Sequence, residues 1–254
     1  MSDDFVELTP QPDNFDPREI ENLIQEVDDM DDYISILVYG VSGVGKTRFG
    51  ATGDKVLLIN CNEQKPISIR GTGSKVITVR RVPDDTEKIF WYLRNGGHKN
   101  FNTVVIDGLS SLQKMYERRV VSDESKLNKD KHKIIVTQRD YGIVNNYMFV
   151  DIMNFRNLQD SMNVVFLALE REPDEKNDRY RPDLTPGSTR AVESAVNIIA
   201  RMTLEEVTVK GKDLTLPVQY YGPHTECVTK DCTGKLGQRI FNPTIPKILE
   251  KIYK

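Results

Sequence analysis

The sequence predicts an α/β protein, with a mainly parallel sheet flanked by helices and a C-terminal antiparallel hairpin extension. Three observations predict it. From Ile34 onward, short continuous apolar runs alternate with helix-length amphipathic segments, the rhythm of a parallel sheet buried on both faces. The first apolar run leads straight into a glycine-rich turn, "GVSGVGKT", and then a helical segment. After Thr185 the rhythm gives way to "LEEVTVKGKDLTLPVQYYG", two strand-like stretches around Lys210-Gly211-Lys212-Asp213.

Residues 1–15 are polar and contain prolines 10 and 12, so they read as disordered. Asp16-Pro17-Arg18-Glu19 reads as a helix start. Asp16 is a cap, Pro17 suits the first turn, and Glu19 closes a capping box. Ile20, Leu23, Ile24 and Val27 then recur on one face. This predicts two parts: an acidic, partly disordered tail with a short amphipathic helix (1–32), and an α/β domain (33–254).

Within the domain, "ISILVY" is the first strand, and a helix follows from about Lys46. "KVLLIN" (55–60), "KVITV" (75–79), "NTVVID" (102–107) and "NVVFLAL" (163–169) are further strands. Residues 84–97 form a helix stopped by glycine. "LSSLQKMYERRV" places Leu109, Leu112, Met115 and Tyr116 on one face, and 139–160 form a long helix. "RAVESAVNIIARM" reads as a helix that runs into a strand, "TECVTKDCTGKLG" as a strand with a turn, and "TIPKILEKIYK" as a closing helix. Two polar stretches, 122–138 and 171–189, read as long loops, and loops of that length in a compact domain usually carry function or disorder.

Gly40-Val41-Ser42-Gly43-Val44-Gly45-Lys46-Thr47 matches G-x-x-x-x-G-K-[ST] at every fixed position. The spacing follows from phosphate chemistry. Glycines let the chain fold tightly enough for successive N–H groups to converge, and the following helix adds its positive end. Gly40, Ser42, Gly43, Val44, Gly45, Lys46, Thr47 and Arg48 are therefore the candidate nucleotide-binding residues. In this reading Lys46 reaches the β and γ phosphates of ATP, and the Thr47 hydroxyl is a ligand of Mg²⁺. Asp107 ends an apolar strand, where a carboxylate serves the same Mg²⁺ through water; capping the next helix is compatible with that role, and the metal role is the favoured one. Hydrolysis also needs a group that orients and deprotonates water. Glu63, past the second strand, is the first candidate and Glu170, past "NVVFLAL", the second; either is otherwise a solvated loop acid.

The chain has 254 residues, 38% hydrophobic and 29% charged, the composition of a soluble globular protein. It has no apolar run of bilayer length, and the acidic N-terminus is unlike a secretory signal. Cys61, Cys227 and Cys232 form no regular set, so the expectation is a reduced, cytoplasmic protein with half-buried free thiols, no metal site and no membrane. Residues 1–33 carry twelve acids and one arginine, while the remainder carries 26 acids and 34 Lys or Arg. A basic body attracts polyanions; the acidic tail either competes for that surface or serves solubility.

"GVSGVGKT", "VLLINCNE" and "TVVIDGLSSL" resemble the RecA-like core. More specifically they resemble the phage nucleotide-binding proteins of the AAA ATPase class, including the Sak-type single-strand annealing ATPases. "QRDYGIVNNYM", "RPDLTPGSTRAVESAVNIIARM" and "VTKDCTGKLG" resemble later segments of the same family, so the likeness spans roughly residues 33–254. It implies a RecA-like P-loop ATPase that acts on single-stranded DNA in phage recombination or annealing. It further implies a homo-oligomeric ring or short filament with ATP near the subunit interface, a single-stranded DNA-binding protein as a further partner, and the host cytoplasm as location. Two positions depart from the family pattern. Asn60-Cys61-Asn62-Glu63 replaces Asp-x-Glu, which implies slow hydrolysis, and Cys232 replaces Arg in the Lys-Asp-Arg turn. Lys230 is then the carried-over candidate for a cation reaching a neighbour's γ-phosphate, or else a solvated hairpin lysine.

DNA contacts are expected from Arg118, Arg119, Lys126, Lys129, Lys131 and Lys133 around one loop. Around the other they are expected from Arg171, Arg179, Arg181 and Arg190, with Tyr180 stacking on a base. Acids share both loops, so ordinary solvated loops fit the charge pattern too. A nucleotide-switched loader of replication and a small-molecule phosphotransferase are the alternative functions; the second lacks an evident Arg-rich lid.

Overall fold

A computed structural model describes residues 33–62, 64–127, 136–176, 178–209 and 212–254, together with 16, 18, 21, 24 and 26. The chain divides into two units, Met1–Asp32 and Tyr33–Lys254. In the first, Arg18 and Glu21 are helical, and the Asp16 carboxylate accepts from the Arg18 N–H (3.0 Å). Pro17, Glu19, Ile20, Leu23 and Val27 lie outside the described residues.

The second unit is built on one sheet. Its strands are β1 (Ser35–Gly40), β2 (Val56–Asn60), β3 (Lys75–Thr78), β4 (Thr103–Asp107), β5 (Asn163–Arg171), β6 (Arg181–Pro182), β7 (Ile198–Val209), β8 (Lys212–Tyr220), β9 (Lys230–Asp231) and β10 (Arg239–Phe241). The order is β10-β8-β7-β1-β5-β4-β2-β3, with β6 beside β5 and β9 beside β7. From β7 to β3 the neighbours are parallel; β8 and β10 add an antiparallel edge. Strand β5 therefore lies between β1 and β4.

The helices are α1 (Lys46–Gly50), α2 (Asp84–Arg94), α3 (Leu109–Leu127), α4 (Gln138–Arg156), α5 (Pro186–Ala195) and α6 (Ile245–Tyr253). Alternation along the strands splits the core into two layers. Leu37, Leu57, Ile59, Val104, Ile106, Val164 and Phe166 point to one face and pack with Leu93, Leu112, Tyr116, Met148, Ile152 and Val192 of α2 to α5. Ile36, Val38, Leu58, Val105, Val165 and Leu167 point to the other and pack with Phe49 of α1 and Ile245, Ile248 and Ile252 of α6. Both faces are covered, which is why these strands read as unbroken apolar runs.

Several boundaries depart from the sequence pattern. The stretch 122–138 is not all loop: α3 continues through Leu127, and residues 128–135 lie outside the described residues. The long helix ends at Arg156 and tightens into a 3₁₀ turn at Asn157–Asp160. The helix expected from Arg190 begins at Pro186, where the proline's fixed φ suits the first turn, and it ends at Ala195 before β7. Strand β3, expected at 75–79, spans Lys75–Thr78 and lies exposed at the edge of the sheet. The hairpin strands β7 and β8 pair from Arg201↔Tyr220 to Val209↔Lys212. Cys61 and Cys227 are buried, Cys232 is exposed, and all three are free, so none is half-buried. Among the described residues no helix is long and apolar enough to cross a membrane.

One buried acid lies inside the helical layer. Asp151 on α4 is 3% exposed and accepts from the Tyr116 hydroxyl of α3 (2.6 Å). Burial pushes its carboxyl from 3.8 up to about 6. A raised carboxyl favours the fold when protonated, so stability falls as pH rises from about 4 through about 6. Asp151→Asn should flatten that part of the stability–pH curve. At pH 8 it should raise unfolding free energy by up to about 3 kcal/mol, read by urea denaturation at a series of pH values.

Candidate phosphate-binding site

The loop after β1 is shaped by what surrounds it. At Gly40 a side chain has no room, because a Cβ would collide with the Met202 carbonyl of β7. Gly43 and Gly45 hold φ of 83° and 104°, the left-handed region open to glycine at no steric cost. Between them Val44 is buried and joins the layer under the loop, which pins the turn to the core. Val41, Ser42, Gly43 and Arg48 stay exposed.

Helix α1, which follows from Lys46 as expected, is only five residues long, so the positive end it adds is mainly that of the amides in its first turn. The donors are local. The turn at Ser42–Gly43 engages the Val44 amide, but among the described residues the hydrogen bonds found include none from the N–H groups of Gly45, Lys46 and Thr47 to a protein acceptor; the next amide bond along is that of Phe49, on the Gly45 carbonyl at 2.9 Å. An arc of consecutive unclaimed amides is what a phosphate oxygen requires.

Lys46 folds back over the loop and donates to the carbonyls of Gly40 and Val41, both at 2.7 Å. Burial pushes its ammonium down to about 8, against the opposing pull of Asp107 and Glu170. The charge is thus held near two carboxylates in a site that already disfavours it, and a polyanion would relieve that cost.

Thr47 and Asp107, far apart in the chain, meet across β5, the strand between β1 and β4. The Thr47 hydroxyl donates to Asp107 Oδ2 at 2.7 Å. The other oxygen, Oδ1, accepts from the Asn62 side chain at 3.1 Å, and the same amide nitrogen also donates to the Asp107 carbonyl. Ser111 Oγ donates to Asn62 Oδ1 at 2.7 Å, tying the first turn of α3 to the same hub. The Asp107 oxygens are thus turned to Thr47 and Asn62, not to the amides of α3, which removes the capping role. Asn62 entered the sequence reading only as a departure from a motif; here it is the residue that orients Asp107.

The remaining candidates divide. Glu63 lies outside the described residues. Glu170 is no solvated loop acid: its side chain is 3% exposed and forms a two-point ion pair with Arg201 (Nε–Oε2 2.6 Å, Nη2–Oε1 3.3 Å). Lys230 is not a solvated hairpin lysine. Its ammonium donates to the carbonyls of Glu193 and Val196 at 3.0 and 2.7 Å, closing the C-terminal end of α5. One face of the Tyr180 ring, the residue expected to stack on a base, is covered by the Arg201 guanidinium at 3.6 Å.

The expected DNA-contacting cations are partly claimed by acids. Arg171 pairs with Asp183 at 2.6 Å, Arg181 pairs with Asp174, and Arg119 pairs with Asp123 at 2.5 Å. Lys129, Lys131 and Lys133, and the side chain of Lys126, lie outside the described residues. Arg171, Lys176, Arg181 and Arg190 line an open cavity of about 720 Å³ together with Asp174 and Glu175, and no residue of the phosphate loop lines it.

A family model described as an AAA domain matches residues 32–233, which holds the loop, Asp107, Glu170 and Arg201 together. No curated protein matches the chain. The match spans most of the chain, and the chain accordingly belongs to the AAA domain family, as an AAA-type P-loop nucleotide-binding protein.

Proposed function

We propose that the protein binds Mg-ATP at residues 40–48 and hydrolyses it slowly while acting on single-stranded DNA in phage recombination or annealing, as a homo-oligomer. The observation that carries the nucleotide part is the contact of Thr47 with Asp107 beside an arc of unclaimed loop amides. The oxygens of Thr47 and Asp107 suit a hard cation. Among the described residues no three His, Cys, Asp or Glu converge, so Mg²⁺ here would take its other ligands from phosphates and water. The metal would supply charge neutralisation on the transferring phosphoryl group. The chain's own residues do the rest in this reading. Lys46 would exchange two carbonyls for phosphate oxygens, and the Thr47 hydroxyl would offer a lone pair to the metal while its hydrogen stays on Asp107, which Asn62 keeps aimed.

The DNA part rests on the resemblance at residues 33–254 and on the cations around 171–190. The pairing of Arg171 and Arg181 with acids supports the second reading, a nucleotide-switched loader of replication that works through protein contacts. ATP turnover with and without single-stranded DNA separates the two. Stimulation by DNA is expected, with turnover lost by at least about a hundredfold in Lys46→Ala. Turnover unaffected by DNA, with nucleotide-dependent capture of a replication protein, supports the loader instead. Turnover unchanged in Lys46→Ala overturns both.

The lowered Lys46 ammonium gives a second prediction. Phosphates bind the charged lysine, so above its free value of about 8 binding must take up a proton. Affinity for a slowly hydrolysed ATP analogue should be level from pH 6 to 7.5 and fall by about tenfold per pH unit well above 8. In Lys46→Ala the analogue should bind about 1.5–3 kcal/mol more weakly at pH 7, and the slope should vanish, both read by calorimetry.

A further inference from the structure

The phosphate loop and the 172–183 segment share one arginine. β1 ends at Gly40, and its two neighbours carry the relevant charges: Leu169 of β5 pairs with Gly40, one residue before Glu170, and Arg201 of β7 pairs with Tyr39. Glu170 and Arg201 therefore flank the strand that feeds the loop, and their two-point pair spans it. On its other side Arg201 carries the ring of Tyr180 at 3.6 Å. Tyr180 is itself fixed by its main chain. Its N–H donates to the Glu226 carbonyl at 2.8 Å, and its carbonyl accepts from Val228 N–H (2.9 Å) and the Tyr39 hydroxyl (3.1 Å). The guanidinium thus has two claimants: a carboxylate beside the phosphate loop, and an aromatic face on the segment that carries Arg179 and Arg181.

We propose that Arg201 is a positioning residue that couples nucleotide occupancy of the phosphate loop to the conformation of residues 172–183. The physics is a competition among anions for one cation. Lys46 already feels Glu170 electrostatically, so a triphosphate entering the loop adds negative charge where that carboxylate acts. Phosphate oxygens are strong acceptors for a guanidinium and compete with Glu170 for Arg201. Any turn of Arg201 away from its present place breaks its stack on Tyr180 and loosens the hold on the segment that follows β5. In the other direction, a ligand that pulls 172–183 away from Arg201 alters the field at Lys46, since such coupling is reciprocal. This rests on the reading of residues 40–48 as the ATP site, and it names how that site would be regulated.

The test is hydrogen–deuterium exchange of peptides covering 172–183, with and without a slowly hydrolysed ATP analogue and Mg²⁺, with analogue affinity measured on the same samples. Tyr180→Leu is the informative variant, because it removes the ring but keeps the main-chain bonds and leaves the Glu170–Arg201 pair intact. The wild type should show exchange in these peptides changed by about fivefold or more on analogue binding. In Tyr180→Leu that change should be lost while the analogue still binds within about threefold of the wild-type affinity. Glu170→Gln combined with Arg201→Gln, which leaves no lone buried charge, should lose it too. A wild type that binds the analogue without any change in 172–183, or a Tyr180→Leu variant that keeps the full change, overturns the coupling. A wild type that takes up no analogue overturns the phosphate-loop reading and this one with it.

Discussion

The hydrogen bond from Thr47 to Asp107 is the constraint on which the site depends, because neither residue's position makes sense without the sheet between them. β5 separates β1 from β4, so the turn after β1 must reach past a whole strand to meet the end of β4. It does so because Gly40 lets β7 close against it, Gly43 and Gly45 permit left-handed backbone, and Val44 anchors the turn in the layer below. Replace any of these by a residue that needs more room or a different φ, and the hydroxyl and the carboxylate part company. Asn62 and Ser111 extend the bond into a chain that also fixes the start of α3.

The electrostatics follow from the same arrangement. A parallel sheet brings the ends of its strands to one edge, and here that edge collects Lys46, Asp107, Glu170 and Arg201. Four charges of both signs in a half-buried space hold one another in place. Lys46 is the member whose charge is least secure, which is the state a phosphate-binding lysine should have before its ligand arrives. Glu170 and Arg201 satisfy each other, so the pair is stable alone and costly to break by removing one partner. Such a pair serves as a reservoir of charge beside the site more naturally than as a free base.

Much of this was legible in the sequence, for physical reasons. Buried parallel strands advertise themselves as unbroken apolar runs, and G-x-x-x-x-G-K-T leaves few other uses for its glycines. Asp107 was legible because it terminates such a run. What stayed hidden were partnerships between distant residues. No local pattern pairs Glu170 with Arg201, or sends Lys230 to the carbonyls at the end of α5, or lays Tyr180 against a guanidinium. In each case a charged or aromatic side chain on a polar segment read as solvent-facing, and a long-range contact claimed it. The extent of α3 was hidden for a related reason: it continues through a stretch whose charges resemble a loop.

A crystal structure of the protein with a slowly hydrolysed ATP analogue and Mg²⁺ tests the central claim most directly. The account predicts the triphosphate against the amides of residues 43–47, Lys46 moved from the Gly40 and Val41 carbonyls onto phosphate oxygens, and the metal beside the Thr47 hydroxyl with the Thr47–Asp107 bond kept. A nucleotide bound elsewhere, or one bound with Lys46 still on those carbonyls, would contradict it.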